Sequence, residues 1–329
     1  VTFERVPYDE FGLFHENAEE HGLPYDEPPV VRRAQVAVEP GRSLSALVWG
    51  EGPPELVLLH GGAQNAHTWD TVALALRPRP LVAIDLPGHG HSDGPGASER
   101  SGQRLRGAAQ DVAMAIRELA PEAAGVVGMS LGGLAAIALS EVAPDLVRRL
   151  LLVDVLPGLR AAHARHIADF VQGPPTFPSF EDILARTMQF NPTRSESSLR
   201  RGILHNALQL EDGSWVWRHS RWRLQEGGRP AALDDPLPDE PGSDRTAVAE
   251  DLLETLGRIQ VPVLLARGMR ADSVLRDEDE AELRRRLPGA EVVHFPEAGH
   301  SIQGDQPVEL AATIARFIPR RAGPEAPRQ

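Results

Sequence analysis

Cysteine is absent from the 329 residues. Disulfides, thiolate metal sites and cysteine nucleophiles are therefore excluded. Lysine is absent as well: all 34 basic residues are arginine, which removes Schiff-base and Ser–Lys chemistry. No apolar run approaches the roughly 18–20 residues that span a bilayer. The opening residues show no basic flank followed by an apolar stretch and a cleavage site. No membrane partner is expected, and a cytoplasmic location is the default expectation. What remains is ample for a globular protein. Hydrophobic residues make up 41% and charged residues 25%, enough apolar mass for a sizeable core. The length fits one large domain or two ordinary ones.

The net charge of −13 is concentrated in two stretches. Residues 1–29 carry eight acids against Arg5, and residues 231–251 carry seven against Arg245. Everything else balances to zero. A nucleic-acid footprint needs a basic face, and none is present. Both acidic stretches read most simply as solvated tether or loop.

Strand and helix patterns follow a regular rhythm after residue 30. Val30–Val38 and Leu44–Trp49 flank Pro40-Gly41 and read as a hairpin. Leu56–Leu59 is a short, wholly apolar run of the buried-strand kind. Helix Ala66–Leu76, strand Leu81–Leu86, helix Gly102–Leu119, strand Gly125–Met129, helix Leu131–Val142 and strand Leu150–Val155 follow in alternation. This pattern predicts a mostly parallel sheet covered by helices on both faces. The alternation stops at Pro157-Gly158 and resumes near Ala247. Strand Val261–Arg267, helix Asp277–Leu287, strand Glu291–Phe295 and helix Pro307–Phe317 complete it. The predicted organisation is an acidic N-terminal arm (1–29) and a core in two parts (30–157 and 246–318), with an inserted, mainly helical cap (158–245) and a tail (319–329). Within the insertion, helices are expected at Ala161–Val171, Phe180–Gln189 and Ser197–Leu208. Asp212-Gly213 before Trp215-Val216-Trp217 suggests a hairpin. An insertion at the C-terminal end of a parallel sheet sits over the edge where such sheets bind ligands.

The strongest chemical signal is Gly128-Met129-Ser130-Leu131-Gly132, followed by Gly133. A serine in G-x-S-x-G between a strand and a helix is a nucleophile elbow. Around it stand His60-Gly61-Gly62 after one strand and Asp85-Leu86-Pro87-Gly88-His89-Gly90-His91-Ser92 after another. Ala298-Gly299-His300 follows the last strand. In order and separation these motifs resemble the α/β-hydrolase superfamily, specifically its capped serine hydrolases, over roughly residues 30–318.

That resemblance implies an α/β-hydrolase fold, Ser130 as nucleophile and His300 as the base that takes its proton. It also implies an acid after the penultimate strand, for which Gly268-Met269-Arg270-Ala271-Asp272 offers Asp272. Such loops more often read Gly-x-x-Asp, so the alignment stays open by one residue. Asp154, at the end of Leu150–Val155, is the alternative acid, since some relatives use that position. The oxyanion hole would be the backbone N–H groups of Leu131 and Gly62, with His60 bracing the second loop. His89 and His91 are expected to organise backbone.

A serine nucleophile points to attack on a carbonyl carbon rather than the alkyl transfer that an aspartate performs in other members of the fold. The expected activity is hydrolysis of a small, fairly apolar carboxylic ester or lactone through an acyl-enzyme. A carbon–carbon bond hydrolase or an acyltransferase is the alternative, and a non-catalytic ligand receptor is less favoured. The substrate is a small molecule, no cofactor is needed, and a homo-oligomer is left open. For substrate contacts the insertion offers Trp215, Trp217, Phe170 and Met188, which serve equally well as the insertion's own core. His163 and His166, three apart, have metal-ligand spacing but no third ligand, so no metal is expected.

Overall fold

The structure, a computed structural model, describes residues 5–95, 104–158, 173–174, 176–191, 194–220 and 244–320. Its centre is an eight-stranded sheet in the order β1-β2-β4-β3-β5-β6-β10-β11. The strands are β1 (Val31–Glu39), β2 (Arg42–Trp49), β3 (Leu56–Leu59), β4 (Leu81–Ile84), β5 (Gly125–Met129), β6 (Leu150–Val153), β10 (Val263–Gly268) and β11 (Glu291–Phe295). β1 and β2 form the expected hairpin, and β2 also runs antiparallel to β4. Every other pairing is parallel.

The central strands read as unbroken apolar runs because both of their faces are covered. Leu56, Val57, Leu58 and Leu59 are each fully buried, yet their side chains alternate between two cores, as the pleat requires. Val57, Leu59, Val126, Leu150 and Leu152 face helices Arg104–Leu119, Leu131–Val142 and Asp244–Gly257. Leu56, Leu58, Val127, Met129, Leu151 and Val153 face Phe14, Trp69, Ile314 and Phe317 on the other side. Parallel pairing brings the ends of β3, β5, β6, β10 and β11 to one edge of the sheet, where the loops carrying the candidate chemistry emerge.

Residues 173–220 build a separate small core. β7 (Thr176–Phe177), β9 (Trp215–Trp217) and β8 (Ala207–Gln209) pair in that order, all antiparallel. Helices Phe180–Phe190 and Glu196–Asn206 pack on them, each opened by a serine whose hydroxyl accepts a hydrogen bond from the first turn. The turn at Asp212-Gly213 joins β8 to β9, with Gly213 at φ 88°. The described insertion thus has a sheet as well as helices. The expected helix Ala161–Val171, and most of the acidic loop 231–251, lie outside the described residues.

The first acidic stretch is no tether where the structure describes it. Helix Phe14–Glu20 buries Phe14 against Trp49, with ring centroids 4.7 Å apart. Arg201, on helix Glu196–Asn206 of the insertion, pairs with Glu16 and Glu20 and donates to the Asn17 side chain at 3.1 Å. The arm therefore bridges the sheet's apolar face and the insertion, with Glu10, Glu16 and Glu20 paired to arginines. Among the described residues no helix is long and apolar enough to cross a membrane.

Removing the arm's anchor tests this. Phe14→Ala should destabilise the fold by about 3–5 kcal/mol, the usual loss for emptying a fully buried aromatic site. Denaturant unfolding reads the change, and an unshifted midpoint would make the arm a tether after all.

Candidate active site

Ser130 sits where β5 turns into helix Leu131–Val142 within a single residue. Its backbone has φ 49° and ψ −119°, a left-handed conformation that costs a non-glycine residue about 1–3 kcal/mol. Close packing holds the strain in place. A Cβ on Gly128 would lie 2.5 Å from the Gly132 carbonyl oxygen and 2.6 Å from Gly133 Cα, so strand and helix can approach only if that position is glycine. Gly133 and Leu134 donate their N–H groups to the Ser130 carbonyl at 2.8 and 3.0 Å. The half-buried serine thus stands at the tip of a strand and at the positive end of a helix, where developing negative charge is favoured.

His300 follows β11 and is 8% exposed. Its Nδ1 lies 3.0 Å from Oδ2 of Asp154, the residue just past the end of β6. Asp154 is fully buried at φ 45°. Its carboxylate collects three further donors: Gly268 N–H at 3.0 Å, Ser273 Oγ–H at 2.8 Å and Val274 N–H at 3.1 Å. An acceptor-only carboxylate so placed takes Nδ1–H from His300 and leaves Nε2 as the lone-pair nitrogen.

Asp272, the first candidate from sequence, is not brought onto this histidine. It is exposed, and its carboxylate lies against the backbone of Gly299, where a Cβ would collide with it. The reason is the path of the loop after β10. The extra residue puts Ala271 at the Gly-x-x-Asp position and turns Ser273 and Val274 inward, where they bind Asp154. The geometry therefore favours the alternative acid.

The loop after β3 brings Gly62 beside Leu131: a Cβ on Gly62 would lie 4.0 Å from Leu131 Cβ. Leu131 opens its helix, so its N–H has no partner within the helix. His60 is fully buried beneath the loop. Its Nδ1–H donates to the Gly61 carbonyl at 2.7 Å, while its Nε2 accepts from Leu86 N–H at 2.9 Å. That pair of bonds suits a neutral ring, and burial pushes its pKa down accordingly. The neighbouring loop is organised by Asp85, whose buried carboxylate accepts from Ala66 N–H at 2.7 Å, His91 N–H at 3.0 Å and Arg33 Nη1–H at 3.0 Å.

Trp215 and Trp217 are 4% and 6% exposed and pack into the insertion's core with Phe177, Ile183 and Ile203. Trp217 also lines a cavity of about 190 Å³, together with Gln64, Asn65, Thr68, Arg194 and Gln303. Trp215 is not among its lining, and Met188 is 40% exposed on the outside of its helix. Trp215 and Trp217 thus contribute to the small core of the insertion. Phe170, His163 and His166 lie outside the described residues. The cavity's side chains are largely polar, and neither Ser130 nor His300 is among its lining.

The sequence profile of the alpha/beta hydrolase family matches residues 56–313. The chain belongs to that family. This hydrolase is 40% identical, over 324 residues, to the esterase Rv0045c of Mycobacterium tuberculosis, covering 95% of this chain and 97% of that protein. A crystal structure of that esterase superimposes with a TM-score of 0.75 at 38% identity, covering 95% of this chain and 99% of that one. The hydrolase is also 28% identical to a pimeloyl-[acyl-carrier protein] methyl ester esterase of Nitrosospira multiformis, over 82% of this chain and 95% of that protein.

Sequence reasoning missed Ser273 and Asp85. Ser273 directly follows the expected acid, but only the loop's path turns its hydroxyl inward. Asp85 opens the motif before His89 and His91 and joins them in organising backbone, binding Ala66 and His91 N–H while His89 Nδ1 lies 3.0 Å from the Pro87 carbonyl. For the hydrolase, Asp154→Asn should lower kcat on an ester by on the order of 10³–10⁴-fold, through the wrong imidazole tautomer. Asp272→Asn should stay near the parent value. Steady-state kinetics on both folded variants distinguishes the acids, and the opposite ranking would restore Asp272.

Proposed function

We propose that the chain is a serine esterase acting through Ser130, His300 and Asp154. The observation that carries this reading is the convergence of a strained serine, a buried His–Asp pair and two loop N–H groups at one edge of the sheet. The esterase that shares 40% identity over nearly the whole chain supports the bond type.

In the proposed cycle, Ser130 Oγ attacks the carbonyl carbon of a small carboxylic ester while His300 Nε2 takes the hydroxyl proton. Asp154, holding Nδ1–H, stabilises the imidazolium and fixes the ring. The carbonyl oxygen becomes an oxyanion facing the N–H groups of Gly62 and Leu131, at the positive end of the helix. The tetrahedral intermediate collapses, and His300 returns the proton to the departing alcohol. Water then attacks the acyl-Ser130 ester with His300 again as base, and the acid leaves. The inserted segment serves as the cap over this edge, and the substrate is a small molecule.

The reading is tested by fluorophosphonate labelling together with turnover of p-nitrophenyl esters from acetate to decanoate. One adduct on Ser130, with turnover highest for short chains, is the expected result. Ser130→Ala should lose both the adduct and on the order of 10⁶-fold in kcat. Ester cleavage that survives the substitution would place the nucleophile elsewhere.

A further inference from the structure

A buried group of polar side chains lies just beyond the loop that carries Gly62. His67, Asp70 and His205 are 8%, 2% and 4% exposed. The first two stand three residues apart across the junction of the short helix Ala66–Trp69 and helix Asp70–Ala75. His205 arrives from the last turn of helix Glu196–Asn206. His67 Nδ1 lies 2.9 Å from Asp70 Oδ2, and His205 Nε2 lies 3.8 Å from the same oxygen. The two imidazoles stack with centroids 3.8 Å apart and planes 11° from parallel.

The outer nitrogens of both rings are engaged, while two of the inner atoms are not. His67 Nε2 is 3.2 Å from Glu10 Oε1, and His205 Nδ1 is 2.9 Å from the Tyr8 hydroxyl. Asp70 Oδ1 and His205 Nε2 are buried with no hydrogen-bond partner, each an unfavourable arrangement.

We propose that His67 Nδ1, the Asp70 carboxylate and His205 Nε2 form a binding site for a divalent transition-metal ion of the zinc type. Two imidazoles and a carboxylate are a donor set that suits such ions. The three ligand atoms lie within 4.8 Å of one another, whereas tetrahedral zinc with bonds of ~2.0–2.1 Å needs them roughly 3.4 Å apart. Small side-chain rotations close that gap. Glu10 and Tyr8 hold the far ring nitrogens as outer-shell partners of metal-bound histidines do. An ion held there gives the buried Asp70 Oδ1 and His205 Nε2 side of the group the cation that no protein donor supplies. The same three residues line the cavity described above, which supplies an entry path and room for a further ligand.

The site is wired to the oxyanion loop. Asn65 accepts from His67 N–H at 2.9 Å and donates to the His205 carbonyl at 2.9 Å, while Asn206 donates to the carbonyl of Ala63, next to Gly62, at 2.5 Å. An ion that draws the two histidines together pulls on that loop, so occupancy modulates turnover without taking part in the chemistry.

The test titrates the chelator-treated full chain with Zn²⁺ against a chromophoric chelator, and with Co²⁺ by visible absorption. One equivalent should bind, with the ligand-field bands of four- or five-coordinate cobalt. Asp70→Asn and His205→Gln should each weaken binding by about 100-fold or more, and Tyr8→Phe, which spares all three ligands, by about tenfold. His300→Ala should bind the metal unchanged. Absence of a stoichiometric site in the parent chain overturns the proposal. So does affinity that survives the Asp70, His205 and Tyr8 substitutions or disappears with His300. Should the two ligand variants fail to fold, the Tyr8→Phe and His300→Ala results decide.

Discussion

A single buried carboxylate organises the reactive edge of this molecule. Asp154 lies wholly inside the protein, where an ionised group without donors would be prohibitively unfavourable. Four donors meet it, from the end of β10, from the loop that follows β10, and from the loop after β11 that carries His300. Satisfying that charge determines where both loops run. It also sets the orientation of the histidine, since an acceptor on Nδ1 leaves Nε2 facing outward. The residue tolerates φ 45° to do so, as Ser130 tolerates φ 49° on the adjacent strand. Strain at two neighbouring strand ends is held by the packed sheet beneath them, which has no room to relax it.

A second layer of polar groups positions the loops on the other side of Ser130. His60 ties the Gly61 carbonyl to Leu86 N–H, and Asp85 ties Arg33 to two backbone amides. These bonds join the ends of β3 and β4, so the loop bearing Gly62 is fixed by groups that never meet a substrate. The acidic arm extends the same logic outward. Its glutamates pair with Arg33 and Arg201, while Phe14 fills the apolar face of the sheet. An acidic stretch that reads as solvated in one dimension thus has three of its acids, Glu10, Glu16 and Glu20, paired with arginine in three.

Much of the fold was legible because its physics is local. Strands buried on both faces must be continuously apolar, and helices pack against them, so β3, β5 and the helix after Ser130 fall where the pattern puts them. The hairpin at Asp212-Gly213 was legible for the same reason. The aromatics of β9 were not. Trp215 and Trp217 lie two apart on a strand and share a face, but nothing in that spacing says whether the face lines a pocket or closes a core. The neighbours that decide it, Phe177, Ile183 and Ile203, come from separate elements.

By itself the sequence determined the alternating α/β architecture, the glycine-flanked turn that exposes Ser130, and a histidine after the last strand, since each is written in adjacent residues. Only the tertiary structure decided which aspartate holds that histidine. β6 and β10 are neighbours and each is followed by an acid, so the choice turns on a loop whose path depends on the carboxylate it must satisfy. The same holds for His205, which meets His67 and Asp70 from a distant helix. Contacts between remote segments form because burial brings unpaired polar groups together, and no local pattern records which of them will meet.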